Sequence, residues 1–465
     1  MRLAVALALL AVLLTPTTAA AVAPPTSWCG ADAESAVDRL PDPVTAFEIH
    51  VVYAIPADGP DRFNERIDAI ATDAASMDGW WRGQDATRAP RFDLAAFAGC
   101  ASVFGQLDVS AVRLPSGAAT YAPDQYRLLR RDLGAAGFAD PDKKYLVYYD
   151  GPPVATPEGG VVCGQTETGQ NDGGPRAYSI VYLGGFCSSG IGAGGVATVT
   201  AMHELTHELN ALVSPGPAHA CPGDPAHPCD SPTDLLYPRQ TADVTLDSLV
   251  LDVGRDDYYG HSGDWWDVQD SLFLAHLDSP DRNPPSEPGR LTATSRGNTV
   301  VISWQASSDD GGVAGYRVYR DGALYSKTTA PRFSDSNGVA GGQIHTYAVR
   351  AWDAAGFLSV KPEIRFKTGV GIVDDAGTLV RDTVPPPPVG RIRPRIVRRA
   401  IVLSWPRVTD AGGLRGYRVE RNGRLYALVV RPTVSIPAVR ARAGWSIQAV
   451  DRAGNRGLPA RIVVR

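Results

Sequence analysis

An α/β layer domain followed by two all-β sandwiches is the architecture predicted for this chain, and three observations predict it. The 465 residues exceed what one hydrophobic core accommodates, at roughly 150 residues per domain. Strand-like and helix-like periodicities alternate up to about residue 280. Beyond that point two segments repeat each other at a constant offset.

The first element is an export signal over 1–23. Arg2 is followed by an apolar run from Leu3 to Leu14 and by small residues up to Ala23. The run is too short to span a bilayer, and no other stretch of about 20 apolar residues exists, so no transmembrane anchor is expected. The mature chain is expected to be secreted. Six cysteines, Cys29, Cys100, Cys163, Cys187, Cys221 and Cys229, all precede residue 230. An even count on an exported chain reads as disulfides, with neighbour pairing preferred among about 15 connectivities, and no C-x-x-C suggests a cysteine metal site.

The first domain is placed at 24–280. Phe47–Ile55 and Lys143–Gly151 read as buried strands and Arg176–Gly185 as an alternating one. Asn64–Trp81, Asp124–Phe138 and Val196–Leu212 carry helical periodicity. The two sandwiches are placed at 285–370 and 385–465. VVISW ending at Trp304 returns as IVLSW ending at Trp405, and GYRVYRDG from Gly315 returns as GYRVERNG from Gly416. Asp321-Gly322 and Asn422-Gly423 sit between alternating runs as hairpin turns. Pro-rich stretches, Asn283–Gly289 and Val384–Gly390, separate the units. The early tryptophan, this hairpin and a late D-x-A-G turn closely resemble fibronectin type III modules.

The net charge of −5 conceals an asymmetry. Pro385–Arg465 holds 17 arginines, no lysine and three acids, a formal +14, which leaves −19 for the rest. Such a field attracts polyanions. The expected partner is an anionic cell-wall or extracellular polysaccharide, nucleic acid being disfavoured for an exported chain.

The chemistry is expected in His203-Glu204-Leu205-Thr206-His207. Residues i and i+4 share a helix face, so both imidazoles reach one ion while Glu204 addresses a water as general base. Zinc favours imidazole and keeps a position open for water. The third ligand is left open. No glutamate occurs between Leu209 and Ser286, and where metzincins carry their third histidine this chain has Val213. His219 is ranked first, then Asp230, then Asp234 and His227, with His227 read as an ordinary residue of a Pro-rich loop. Asn210 suits a left-handed helix end. Tyr237, Tyr258, Tyr259 and His261 are weighed as cleft residues and read mainly as packing. The acids of Leu251–Leu277 suggest a structural Ca2+ without a twelve-residue loop to hold it.

H-E-x-x-H, followed by Ala218-His219, His227-Pro228-Cys229-Asp230 and Asp234-Leu235-Leu236-Tyr237, resembles secreted, mainly actinobacterial, zincin-like proteins. That resemblance implies a zincin-like catalytic domain and a zinc metallopeptidase acting on polypeptide. The competing expectation is a carbohydrate- or cell-wall-associated fibronectin type III protein, engaged in polysaccharide degradation or adhesion, whose first domain is inactive or non-proteolytic.

Overall fold

The computed structural model describes residues 28, 46–95, 106–157, 159–167, 178–211, 219–239, 241–281, 283–339, 341–373, 385–397, 400–410, 414–437, 443–451 and 454–464. The expected export signal and the Cys29–Cys100 pairing lie outside them. The other two expected pairs, Cys163–Cys187 and Cys221–Cys229, are disulfides.

The first domain is built on a five-stranded sheet. Its elements are β1 (Glu48–Ile55), α1 (Phe63–Gln84), β2 (Val109–Arg113), α2 (Gln125–Ala135), β3 (Lys143–Tyr149), β4 (Gly164–Thr166), β5 (Tyr178–Tyr182) and α3 (Val196–Glu208). The strand order is β2-β1-β3-β5-β4, parallel except for the edge strand β4, which runs antiparallel to β5. Every residue of β1 is buried, as a parallel strand covered on both faces requires. Side chains alternate across a strand, so Ile49, Val51 and Tyr53 join Ile70, Met77 and Trp81 of α1 and Met202 and Leu205 of α3 in one core. Val52 and Ala54 face Leu129 and Leu133 of α2 in the other. β5 departs from its expected alternation because helices cover both its faces, leaving all five residues buried.

Each C-terminal module is a sandwich with a tryptophan against a tyrosine at its centre: Trp304 on Tyr316 and Trp405 on Tyr417, with ring centroids 5.2 Å apart in both. The first pairs a three-stranded with a five-stranded sheet, the second a three-stranded with a four-stranded one. Asp321 and Gly322 take φ of 54° and 85°, Asn422 and Gly423 51° and 81°, the two positive values that a tight hairpin turn demands.

The first sandwich is docked on the α/β domain. Asp142, at the entry to β3, accepts from Arg317 Nε (2.8 Å), Arg350 Nη1 (2.7 Å) and the Tyr319 hydroxyl, with Asp142 and Arg317 each 1% exposed. Arg91 donates to the carbonyls of Ala355 (2.6 Å) and Gly356 (3.1 Å) in the D-x-A-G turn. Gly356 has φ 82°, and a Cβ there would lie 2.5 Å from the Leu272 carbonyl oxygen, so the close approach needs glycine.

Candidate metal centre

Helix α3 presents His203 and His207 one turn apart and ends at Asn210, whose φ is 75°. That left-handed residue turns the chain back so that Ala211 N–H bonds the Thr206 carbonyl (3.2 Å). The Ala211 carbonyl then accepts from His207 Nδ1 (3.4 Å). His203 Nδ1 donates to the Leu235 carbonyl at 2.8 Å. This carbonyl is held by a turn around Asp234, which accepts from Leu236 N–H (2.8 Å), Val253 N–H (2.8 Å) and the Tyr258 hydroxyl (2.9 Å).

The third imidazole is His227, not His219. A short hairpin of Ala220–Cys221 and Asp224–Pro228, closed by the Cys221–Cys229 disulfide, carries His227 over α3. Its Nδ1 is held by the Asp224 carboxylate at 2.9 Å. The Nε2 atoms of His203, His207 and His227 form a triangle with all three sides 3.2 Å.

The tautomers decide what that triangle means. A carbonyl or carboxylate can only accept, so each Nδ1 carries a proton, and a ring that is neutral then keeps its lone pair on Nε2. Burial holds the His203 imidazole down to about 4 and His207 well below its ordinary value, so neither carries charge near neutral pH. Three lone pairs aimed at one point repel unless a cation lies between them. Bonds of about 2.0–2.1 Å to tetrahedral zinc place nitrogens about 3.3–3.4 Å apart, which the triangle matches closely.

Glu204 completes the centre. It is buried, and desolvation pushes its carboxyl up to about 8. Edge strand β4 crosses above it, where Thr166 donates to the Glu204 carbonyl (3.2 Å). A Cβ on Gly164 would lie 2.6 Å from Glu204 Cγ, so a bare backbone at this position makes room for the carboxylate.

The remaining sequence candidates lie elsewhere. His219 faces Asp257 and Asp256, 3.3 and 3.8 Å from Nδ1, because the disulfide folds its segment back toward the loop over 252–260. Asp230 is exposed just beyond that disulfide. Tyr258 supports Asp234, Tyr259 donates to Asp85 (2.8 Å), His261 stacks on Trp265 (centroids 4.4 Å apart), and Tyr237 follows the Asp234 turn. Sequence reasoning passed over Asp224 and Gly164 altogether. The D-x-x-H spacing of Asp224 and His227 inside a disulfide loop was the available signal for the first.

No family model matches the sequence. The chain is 31% identical over 182 residues to exoglucanase B of Cellulomonas fimi, covering 38% of this chain and 16% of the relative. It is 31% identical over 178 residues to chitinase A1 of Niallia circulans, covering 38% and 25%. The chain thus spans a quarter or less of these relatives' lengths. Among solved structures, a central fibronectin-III array of RIM-binding protein shares 19% identity, covering 39% of this chain and 68% of that one, with a TM-score of 0.20. OgpA from Akkermansia muciniphila shares 14% identity, covering 71% and 95%, with a TM-score of 0.27. Among the described residues no helix is long and apolar enough to cross a membrane. The C-terminal modules are fibronectin type III-like sandwiches, and the curated relatives are enzymes named for glucan and chitin, which overturns the expectation of a zinc metallopeptidase acting on polypeptide.

Proposed function

We propose that this is an extracellular, polysaccharide-associated protein whose fibronectin type III-like modules serve attachment and whose zincin-like α/β domain hydrolyses an acyl bond, ester or amide, carried on the polysaccharide. The observation that supports the hydrolytic part is the convergence of three Nε2 lone pairs beside the buried Glu204 carboxyl. The polysaccharide part is supported by the exoglucanase and chitinase relatives.

His203, His207 and His227 are the residues that would hold Zn2+, His227 taking the place expected of His219 or Asp230. Zinc bound there supplies Lewis acidity toward a carbonyl and makes water acidic enough to react near neutral pH. Glu204 takes the proton of the attacking water and returns it to the departing oxygen or nitrogen, a transfer suited to a carboxyl raised toward neutrality. The Leu235 and Ala211 carbonyls and Asp224 keep the imidazole protons on Nδ1. Glycosidic cleavage usually employs two carboxyl groups about 5–9 Å apart across the bond. One turn beyond Glu204, Glu208 is committed instead to Ser179 Oγ (2.5 Å) and Tyr145 N–H (3.2 Å).

The test incubates the full chain, with Zn2+ and after chelation, with chitin and with acetylated and deacetylated glucans. Zinc-dependent release of acetate is expected. New reducing ends without acetate would replace acyl hydrolysis by glycosidic cleavage, and absence of both retention and product would overturn the polysaccharide reading.

A further inference from the structure

Outside the histidine triangle, His219, Asp256 and Asp257 bring one nitrogen and two carboxylate oxygens within 4.8 Å of one another. Asp257 is fully buried, and neither of its carboxylate oxygens has a hydrogen-bond partner. His219 Nδ1 also lacks one, although it lies 3.3 Å from Asp257 Oδ1. Two atoms that close, yet not aligned as donor and acceptor, are placed as two ligands of one ion are placed. The surroundings add to the deficit, since Asp252, Asp230 and Asp256 all act against a charge on Asp257 while His219 acts for it. Asp252 is already satisfied by the N–H groups of Asp257, Tyr258 and Tyr259. A buried carboxylate without donor or cation is costly.

We propose that His219 Nδ1, Asp256 and Asp257 form a second divalent-cation site, open to water on the Asp256 side, for an ion that accepts nitrogen, such as Zn2+, rather than Ca2+. Imidazole among the ligands selects against calcium, which takes oxygen. The site ties together the two segments that orient the triangle. His219 adjoins the hairpin bearing His227, and its carbonyl accepts from Cys229 N–H (2.8 Å). Asp257 precedes Tyr258, which holds Asp234 and through it the carbonyl on His203.

Zn2+ binding to the metal-stripped full chain, followed by equilibrium dialysis with elemental analysis, tests this. Two equivalents are expected for the wild type. Asp257→Asn and His219→Ala should each keep one, and the half-exposed Asp256 as Asp256→Asn should weaken the second by at least about tenfold. The double variant His203→Ala, His207→Ala should also keep one, through the second site, so failure of the triangle and failure of this site give different patterns. Unchanged near-ultraviolet circular dichroism certifies the fold of each variant. A double variant His203→Ala, His207→Ala that binds no zinc, or an Asp257→Asn variant that binds as many equivalents as the wild type, overturns the proposal and leaves His219 and Asp257 no more than neighbours.

Discussion

The protons on three Nδ1 atoms govern the triangle, and two kinds of acceptor place them. Leu235 and Ala211 offer carbonyls fixed by backbone turns, whereas Asp224 offers a half-exposed side chain with no such bracing. Replacing Asp224 by Ala should therefore lower Zn2+ affinity by about 10–100-fold while leaving folding intact, as loss of a partner behind a ligating histidine does. A competition titration against a zinc chelator reads this, and an unchanged affinity would show that His227 needs no such support. Glu204 stands in the opposite position, buried and close to the three imidazoles but with a proton to move. Glu204→Gln should hold zinc as the wild type does and lose about 10²–10⁴-fold in acyl release, because an amide cannot accept the proton of water. Loss of zinc together with activity would instead make Glu204 a support of the ligand helix.

Helix α3 and edge strand β4 define the centre together, and they differ in how readable they are. The helix announces itself through its apolar run and the i, i+4 histidines, and Asn210 marks its end by tolerating φ 75°. β4 has three residues and is recognised only by what it meets, the Gly164 backbone against Glu204. Gly164→Ala should thus displace Glu204 and depress turnover at least about tenfold with zinc retained, and equal turnover would mean that the strand can shift without consequence. The buried strands β1 and β3 and the three long helices were legible in periodicity, with ends displaced by a few residues, whereas the four-residue helix Ala118–Tyr121 was not. The third imidazole was not. Ranking by distance along the chain favoured His219, and two prolines made Asp224–Pro228 look like open loop. In a two-stranded hairpin, proline can occupy positions whose N–H is not needed, so the prolines there did not exclude a strand, and the disulfide supplied the direction. The repeat of the sandwiches was visible at once because each module writes the same tryptophan, hairpin and turn.

The units of the molecule are joined by charge in a way periodicity does not show, since Asp142 and Arg317 are 175 residues apart in sequence. Burial by itself would raise the Asp142 carboxyl, but Arg317 and Arg350 outweigh it and hold it near 2. A depressed carboxyl contributes stability above its unfolded value near 4 and loses it as pH falls toward 2. Docking of the first sandwich should therefore persist to about pH 4 and weaken progressively as the pH falls toward 2, and Asp142→Asn should destabilise the pair by about 3–5 kcal/mol by taking from two guanidinium groups the carboxylate they share. Limited proteolysis of the linker across this pH range checks both. The second sandwich engages part of its charge on the unit before it, Arg418 and Arg456 on Glu287 and Arg415 on Glu363. Arg391, Arg393 and Arg395 remain exposed along one edge, and the first two line a groove with Arg461. Alternate residues of a strand share a face, so Arg393 and Arg395 project their charge together. Many weak, screened contacts of this kind hold a polyanion at low salt and release it when the screening length falls from about 10 Å at 0.1 M to about 3 Å at 1 M. The full chain should be retained on an anionic polysaccharide at low salt, elute by about 0.5 M, and lose most of that retention when Arg391, Arg393 and Arg395 become glutamine. Retention on neutral chitin should be unaffected by the same changes. Salt-independent retention of the triple variant on the anionic polymer would place attachment on apolar or aromatic contacts and remove the role assigned to these arginines.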